Sequence, residues 1–251
     1  KRPNGAISRE DLSVPLPATD LCIKAARALQ NATGCTQGAH IAIKKTIPAE
    51  AGLGGGSSDA ATCLLGLNRL WGLELTRAQL SAIGLGLGAD VPFFVGGQNA
   101  WVEGIGEELT PIDLPEAQFL VIKPSQGLST RDIFTSPGLK RDTKPATMRG
   151  FATDALFEYG CNDLQATAIT LCPEVAQVLT FLENAGLSGR MTGSGSAVFA
   201  VIPSHFKRVS EGNTGSIEAL QNALAGFQNE HHWQHKVCDS LNQHPLFDWL
   251  I

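Results

Sequence analysis

The chain has 251 residues, 43% of them hydrophobic and 17% charged, and its formal net charge is −5 at pH 7. This length and apolar content suffice for one large domain or two smaller ones with buried cores, and they exclude an intrinsically disordered chain. The acidic balance and the lack of a Lys/Arg-rich run argue against nucleic acid as a partner. The six cysteines occur singly and no apolar run could span a membrane, so we expect no disulfide framework, no membrane partner and a cytoplasmic location.

The first predicted elements are a helix and a strand. Residues 1–19 combine prolines and charges without a clear period, so we expect an exposed lead-in there. Asp20 is the expected N-cap of a helix that extends to Ala32. Alternating isoleucines then predict a strand over residues 41–47, which ends at Pro48.

The most informative segment is glycine-rich, with the sequence PAEAGLGGGSSDAA at Pro48–Ala61. Consecutive glycines allow the main chain to approach a ligand closely, and the helix that follows directs its free N–H groups to the same point. This combination predicts a site for the phosphates of a nucleotide, with a serine hydroxyl available to a bridging Mg²⁺ ion. The residues assigned to this site are Pro48, Ala49, Glu50, Ala51, Gly52, Leu53, Gly54, Gly55, Gly56, Ser57 and Ser58.

Two other interpretations of this segment remain open. One is an ordinary glycine-rich turn capped by Ser57, without a ligand. The other is a dinucleotide-binding loop, since Gly52-x-Gly54 follows a strand and Glu74 lies about 20 residues further on. This second interpretation is less favoured, because Ser57 stands where the third glycine is needed and Pro48–Ala51 separates the strand from the glycines.

The remaining helices and strands alternate without strict βαβ regularity. Helices are predicted from Ser57–Asp59 to Trp71, from the capping box Thr76-x-x-Gln79 to Gly88, over residues 174–185 and near residues 217–227. Strands are predicted near residues 100–104, 119–123 and 197–202. This order indicates an α+β protein in two halves, and a proline-flanked connector near residues 114–118 divides it into domains of residues 1–116 and 117–251.

Asp90 is the first candidate for chemistry outside the glycine-rich segment. A carboxylate here could take the proton of an acceptor hydroxyl in phosphoryl transfer, although an aspartate in such a turn is more often a cap. By the same reasoning from residue type, Thr130 is favoured as a helix N-cap and Phe134 as a core residue. Lys44 and Lys45 lie near the glycine-rich segment in sequence, and a solvated strand face is favoured for both.

A second glycine turn, Gly193-Ser194-Gly195, precedes the strand at residues 197–202. A hairpin turn is the simplest interpretation of these residues. His231, His232 and His235 cluster in a polar segment without an acidic or thiolate partner nearby in sequence, so no residue is assigned as a metal ligand.

Several of these motifs together resemble those of the GHMP kinases. Pro48–Ala61 is similar to the glycine-serine loop that holds ATP in that family, and Met191–Phe199 is similar to the glycine loop of its C-terminal half. Gly88–Phe94 and Ala100–Glu108 resemble, more narrowly, the branch that phosphorylates diphosphocytidyl-methylerythritol. Two shorter motifs also fit that branch, Asn162-Asp163-Leu164 and His244-Pro245-Leu246.

The resemblance extends from about Asp20 to the end of the chain and implies a two-lobed α+β GHMP kinase fold. The N-terminal lobe would bind ATP and the C-terminal lobe would be ferredoxin-like. The implied reaction is the ATP- and Mg²⁺-dependent phosphorylation of the 2-hydroxyl of a diphosphocytidyl-methylerythritol, a step of non-mevalonate isoprenoid synthesis. The resemblance further implies that Asp90 is the catalytic base, that Thr130 lies beside the substrate and that Phe134 stacks on the cytosine. Gly193 and Ser194 would border the phosphate end of the site.

The start of the chain departs from the family pattern. Nothing before Asp20 matches the Pro-Ala-Lys-type opening strand, which supplies a lysine, or the Gly-Tyr-His element of this branch. The sequence therefore looks truncated, and the expectation is that the 251-residue chain alone is weakly active or inactive. Two rival functions remain: another GHMP kinase, acting on an alcohol such as homoserine or mevalonate, and a non-catalytic nucleotide-binding remnant. A small-molecule substrate is the only expected partner, bound by a monomer or a homodimer.

Overall fold

The computed structural model describes residues 4–18, 20–144, 146–148, 156–157, 159–203, 222, 224 and 232–249. The chain divides into two units, the first made of Lys1–Pro48, Gly54–Pro115 and Leu241–Ile251, and the second of Ala49–Leu53 and Glu116–Ser240. The predicted domain boundary after residue 116 lies one residue from this division. Two short segments, residues 49–53 and 241–251, group with the unit opposite to the one that the sequence predicts.

The first unit opens with two parallel strands. β1 (Ile7–Asp11) pairs with β2 (Ala39–Ile43) in a register that places Ile7 opposite Ala39. The prediction of an exposed lead-in over residues 1–19 is therefore wrong for residues 7–11, which form a mostly half-buried strand. β1 is not evident from the sequence because ISRED lacks an alternation of apolar and polar residues, and its structure depends on the ladder with β2.

Three helices supply most of the core of the first unit. They are α1 (Leu21–Thr33), α2 (Gly55–Trp71) and α3 (Arg77–Leu85). Asp20 caps α1 as predicted, because its carboxylate accepts hydrogen bonds from the first free N–H groups of that helix. The predicted capping box of Thr76 and Gln79 is also present at the start of α3. The buried side chains of these helices include Ala25, Leu29, Leu64, Leu65, Trp71 and Leu80.

A short helix, a hairpin and the C-terminal segment complete the first unit. They are α4 (Val91–Gly96), β3 (Ala100–Glu103), its antiparallel partner β4 (Glu108–Pro111) and a 3-10 turn at Phe247–Trp249. Asp90 directly precedes α4, so the position of this carboxylate depends on how α4 packs.

The second unit is built on a four-stranded antiparallel sheet. Its strands are β5 (Gln118–Lys123), β6 (Gly189–Met191), β7 (Val198–Val201) and β8 (Gln234–Asp239), in the spatial order β6-β7-β5-β8. Its helices are α5 (Thr130–Thr135), α6 (Gln165–Leu171) and α7 (Glu174–Asn184). The strands predicted near residues 119–123 and 197–202 and the helix predicted over 174–185 are confirmed.

The core of the second unit lies between this sheet and its helices. Its fully buried side chains include Leu120, Ile122, Val175, Val178, Leu182 and Val198. The helical pattern near residues 217–227 falls almost entirely outside the described residues. None of the helices in the described part of the chain combines the length and the apolar character needed to cross a membrane.

Candidate active site

The start of α2 presents free main-chain donors. Gly54 is the N-cap, in the left-handed region at φ 64°, and it provides no side-chain cap. The first hydrogen bond of the helix runs from Ser58 N to Gly54 O at 2.9 Å, so the N–H groups of residues 55–57 have no partner within the helix. The start of a 17-residue helix with free N–H groups suits an anionic group such as a phosphate. The helix begins two residues earlier than the sequence predicts, so two glycines lie in its first turn.

Close neighbours explain why glycine occupies this turn. A Cβ atom at Gly54 would lie 2.8 Å from the ring of Phe94, and one at Gly55 would lie 2.9 Å from Cγ2 of Ile47 and 3.2 Å from Nζ of Lys45. Any larger residue would push these side chains away from the helix start. Glycine therefore occupies these positions because neighbouring side chains pack closely against them, as well as for its conformational freedom.

Lys45 is not on a solvated face, contrary to the prediction. Its Nζ pairs with the Asp59 carboxylate, and only 12% of the Lys45 side chain is exposed, against 37% for Asp59. The ammonium group lies beside Gly55, where it adds positive charge next to the free N–H groups of α2. Lys44, in contrast, is exposed.

Asp90 is exposed and lies at the start of α4. Its carboxylate makes no cap hydrogen bond with α4, which leaves it available for another partner. The turn that carries it is held by a hydrogen bond from Val91 N to Gly88 O at 3.1 Å. Because Phe94 of α4 packs on Gly54, the helix that positions Asp90 contacts the N-cap of α2 within the first unit.

In the second unit, the beginning of the glycine-rich segment is bound to the second glycine turn. Ser196 N donates to Glu50 O at 3.2 Å, and Ala197 N donates to Ala51 O at 3.0 Å. Ala51 is buried, with 2% of its surface exposed. The segment 49–53 is thus held by main-chain hydrogen bonds, as a strand would be, and this explains its grouping with the second unit.

Gly52 and Gly193 approach each other through their main chains. A Cβ atom at Gly52 would lie 2.2 Å from Thr192 O, and one at Gly193 would lie 2.8 Å from Gly52 O. The Thr192 hydroxyl also donates to Gly52 O at 3.1 Å. The second glycine turn does connect the antiparallel strands β6 and β7, as a hairpin turn would, and it also supports the glycine-rich segment.

Thr130 belongs to the same group of residues. Its hydroxyl lies 2.8 Å from the hydroxyl of Ser194. Ser129, not Thr130, is the N-cap of α5, so the cap assignment is wrong. Phe134 is 50% exposed, so its interpretation as a core residue is also wrong, and its ring is available for stacking on a planar group.

The structure thus brings the predicted site residues together in two groups. One consists of the α2 start and the α4 start that carries Asp90, and the other of residues 50–52, Thr130 and Ser194. Sequence reasoning missed two contributors, Lys45 and Phe94, because their contacts with residues 55 and 54 depend on the fold.

The sequence matches two protein-family models. One, described as the GHMP kinases N terminal domain, covers residues 20–98, and the other, described as GHMP kinases C terminal, covers residues 152–226. These matches include the glycine-rich segment, Asp90 and the second glycine turn.

Curated relatives cover nearly the whole chain. The 4-diphosphocytidyl-2-C-methyl-D-erythritol kinase of Paracidovorax citrulli is 54% identical over 252 residues, which are 99% of this chain and 82% of the relative. The protein of the same name from an Acidovorax species (strain JS42) is 55% identical over the same shares of both chains.

Solved structures agree with these relatives. A crystal structure of 4-(cytidine 5'-diphospho)-2C-methyl-D-erythritol kinase matches with a TM-score of 0.72 and 29% identity, over 94% of this chain and 83% of the other. Homoserine kinase from Cytophaga hutchinsonii shares the fold, with a TM-score of 0.70. Its sequence identity is 16%, over 95% of this chain and 83% of the other. The predicted α+β GHMP kinase fold and small-molecule kinase class are confirmed, and the dinucleotide-binding interpretation is wrong. The chain belongs to the 4-diphosphocytidyl-2-C-methyl-D-erythritol kinases, a branch of the GHMP kinase family.

Proposed function

We propose that this chain transfers the γ-phosphoryl group of ATP to the 2-hydroxyl of 4-diphosphocytidyl-2-C-methyl-D-erythritol. The observation that carries the proposal is the contact between two elements of the first unit. The free N–H groups at the start of α2 suit a phosphate, and the helix that follows the exposed carboxylate of Asp90 packs on the N-cap of α2 through Phe94.

In this reaction Asp90 accepts the proton of the acceptor hydroxyl. The hydroxyl oxygen forms a bond to the γ-phosphorus as the bond from that phosphorus to the β–γ bridging oxygen breaks, and ADP leaves. The N–H groups of residues 55–57 and the ammonium of Lys45 stabilise negative charge on the phosphates. Residues 48–58 hold the nucleotide.

The second unit supplies the contacts with the alcohol substrate in this proposal. Thr130 and Ser194 offer hydroxyl groups, and their mutual hydrogen bond of 2.8 Å fixes both side chains. Gly193 directly precedes Ser194 and allows this turn to approach Gly52 closely. The exposed ring of Phe134 stacks on the cytosine, because a flat apolar ring rewards contact with a planar base.

The site also suits Mg²⁺ in its usual role in phosphoryl transfer. Among the described residues no group of three or more His, Cys, Asp or Glu side chains could hold a metal ion. Mg²⁺ keeps several waters and binds through substrate phosphates with few protein ligands, so a hydroxyl of Ser57 or Ser58 in the first turn of α2 is a sufficient protein contribution. There the ion would neutralise negative charge on the phosphates of the nucleotide.

Asp90→Asn tests the proposed function. We expect the turnover number to fall about 10²- to 10⁴-fold, because an amide cannot accept the proton, while ATP affinity stays within about twofold. Transfer of labelled γ-phosphate to 4-diphosphocytidyl-2-C-methyl-D-erythritol, homoserine and mevalonate detects slow turnover and separates this substrate from those of other GHMP kinases. Calorimetric titration with ADP measures affinity.

Asp113→Asn is the matched control, since it removes the charge of another exposed aspartate of the first unit. It should leave turnover and affinity unchanged. Full activity of the Asp90→Asn variant would exclude Asp90 as the base. ADP binding without transfer to any acceptor by the unmodified protein would instead favour a non-catalytic nucleotide-binding protein.

The proposal also covers the cellular location, the oligomeric state and the role of each domain. A metabolic kinase with a small-molecule substrate is expected in the cytoplasm, as a monomer or a homodimer. The N-terminal domain (residues 1–116) would bind ATP, and the C-terminal domain (residues 117–251) would contribute substrate contacts.

A further inference from the structure

The side-chain amide of Asn162 makes three hydrogen bonds around the second glycine turn. Its Nδ2 donates to Met191 O at 2.8 Å and to Gly193 O at 2.9 Å, and its Oδ1 accepts from Leu164 N at 3.0 Å. Both N–H groups of the side-chain amide therefore donate to carbonyl groups, those of the two residues that flank Thr192.

These bonds orient two peptide planes of the turn, the one that joins residues 191 and 192 and the one that joins residues 193 and 194. Gly193 and Gly195 have φ values of 51° and 83°, in the left-handed region that glycine adopts readily. Within the turn, Thr192 N donates to Ala197 O and Gly195 N donates to Thr192 O, both at 3.0 Å. Neither bond involves the carbonyl groups of residues 191 and 193. The first plane therefore has a second hydrogen bond, through Thr192 N, whereas Asn162 supplies the bond that orients the plane before Ser194. By bonding both carbonyl groups, Asn162 couples the directions of the peptide planes that precede Thr192 and Ser194.

Thr192 and Ser194 directly follow these two planes, and the side chains of both residues make contacts near the proposed ligand sites. Thr192 donates from its hydroxyl to Gly52 O at 3.1 Å, on the nucleotide-binding segment. Ser194 lies 2.8 Å from the hydroxyl of Thr130, on the substrate side. A rotation of either plane would move one of these side chains, so a single amide controls both contacts.

We propose that Asn162 is a positioning residue that sets the second glycine turn for nucleotide and alcohol substrate together. It touches neither ligand and acts through Thr192 and Ser194. The proposal rests on the function proposed above, because it assumes that the segment around Gly52 holds ATP and that Thr130 lies beside the alcohol.

Asn162→Asp is the decisive variant because it is nearly isosteric. The carboxylate can still accept from Leu164 N, but it replaces the double donor with an acceptor that repels the carbonyl oxygens of residues 191 and 193. We expect KM for ATP and KM for the cytidine substrate each to rise about 5- to 10-fold, with a smaller change in kcat. Calorimetric titrations with ADP and with cytidine diphosphate should show the same two losses of affinity if turnover is slow. A merely structural role would lower the active fraction of the protein and leave KM and affinity unchanged.

Asp163→Asn is the matched control at the next position. Asp163 accepts from the Thr143 hydroxyl at 2.9 Å and from Cys161 Sγ at 3.3 Å, away from the glycine turn. Its variant should bind both probes as the unmodified protein does.

The results distinguish this proposal from the proposed function. Failure of the unmodified protein to bind ADP would overturn the function. A folded Asn162→Asp protein with unchanged KM values and affinities would overturn only the positioning role. If Asn162→Asp does not fold, Asn162→Ala, which removes the donor without adding charge, is judged by the same measurements. Loss of folding in both variants would make Asn162 a stability residue and would also contradict the proposal.

Discussion

Gly54 combines a positive φ with a close neighbour, so a side chain at this position is disfavoured twice. Gly54→Ala should lower the free energy of unfolding by about 1–2 kcal/mol, because a residue with a Cβ is strained at φ 64°. The added Cβ would also displace the Phe94 ring, which lies 2.8 Å away, and with it the first turn of α2. We therefore expect ADP affinity to fall about tenfold or more, by the loss of aligned main-chain donors. Urea unfolding and calorimetric titration measure the two effects.

Gly66 provides the control within the same helix. A Cβ at Gly66 would meet no atom within 4 Å, and its φ is not positive. Gly66→Ala should raise stability by about 0.5–1 kcal/mol, because alanine loses less conformational entropy on entering a helix, and ADP affinity should not change. Unchanged ADP affinity in Gly54→Ala would contradict the assignment of this helix start as the phosphate site.

Side-chain environments were the least predictable feature at the residue scale. The glycine-rich segment and Asp90 could be recognised from residue type and order, because free N–H groups and a carboxylate are local properties. The burial of Lys45 could not, since it depends on Asp59, which is 14 positions further along the chain on another element. The exposure of Phe134 is likewise not evident from the sequence, because either Ile133 or Phe134 could supply the buried side chain of α5, and in the structure it is Ile133.

At the scale of elements, the β3–β4 hairpin contacts the turn that carries Asp90. Gly106, at φ 126° near the hairpin tip, packs so closely that a Cβ would lie 2.6 Å from Ala89 O. Gly106→Ala should push residue 89 away and move the adjacent carboxylate. We expect kcat to fall about 10- to 100-fold, since small misplacements of a catalytic group are costly, with little change in ADP affinity. Steady-state kinetics and calorimetry test this split.

Gly104→Ala separates displacement of Asp90 from strain in the hairpin. Gly104 is also at a positive φ, 68°, but the nearest atoms to its Cβ would be those of the flexible side chain of Glu107. The substitution should therefore destabilise the hairpin without lowering kcat. Equal kinetic losses in both variants would show that the intact hairpin, and not the contact with Ala89, matters for turnover.

Regular elements were predicted where their signal is local. The capping residue Asp20 and the capping box at Thr76 place two helix starts correctly, because a cap is satisfied by the next turn of the same helix. β1 was missed, because a short polar strand gains its stability from the partner β2. The grouping of residues 49–53 with the second unit has the same origin, in main-chain hydrogen bonds to residues 196 and 197.

At the scale of the whole chain, the Arg77 side chain links the C-terminal residues 241–249 to α4 within the first unit. Arg77, at the start of α3, donates to Val95 O at 2.5 Å, to Gly96 O at 3.1 Å and to Phe247 O at 2.7 Å. Its guanidinium group also lies 4.6 Å from the centre of the Phe247 ring. Arg77 and Phe247 are 170 positions apart in the sequence, so no local sequence pattern could predict this contact.

Arg77→Ala should release this segment. We expect the free energy of unfolding to fall by about 1.5–3 kcal/mol, because hydrogen bonds from a charged donor are lost and three carbonyl groups lose a partner. Residues 241–249 should become sensitive to limited proteolysis, while ADP affinity stays unchanged because the segment does not include the nucleotide-binding residues. Arg69→Ala is the control: its guanidinium lies 5.0 Å from the centre of the Trp249 ring, and an exposed cation–π contact of this kind contributes only about 0.5–1 kcal/mol. Equal stability losses in the two variants would show that the fork of hydrogen bonds from Arg77 is not what anchors the segment.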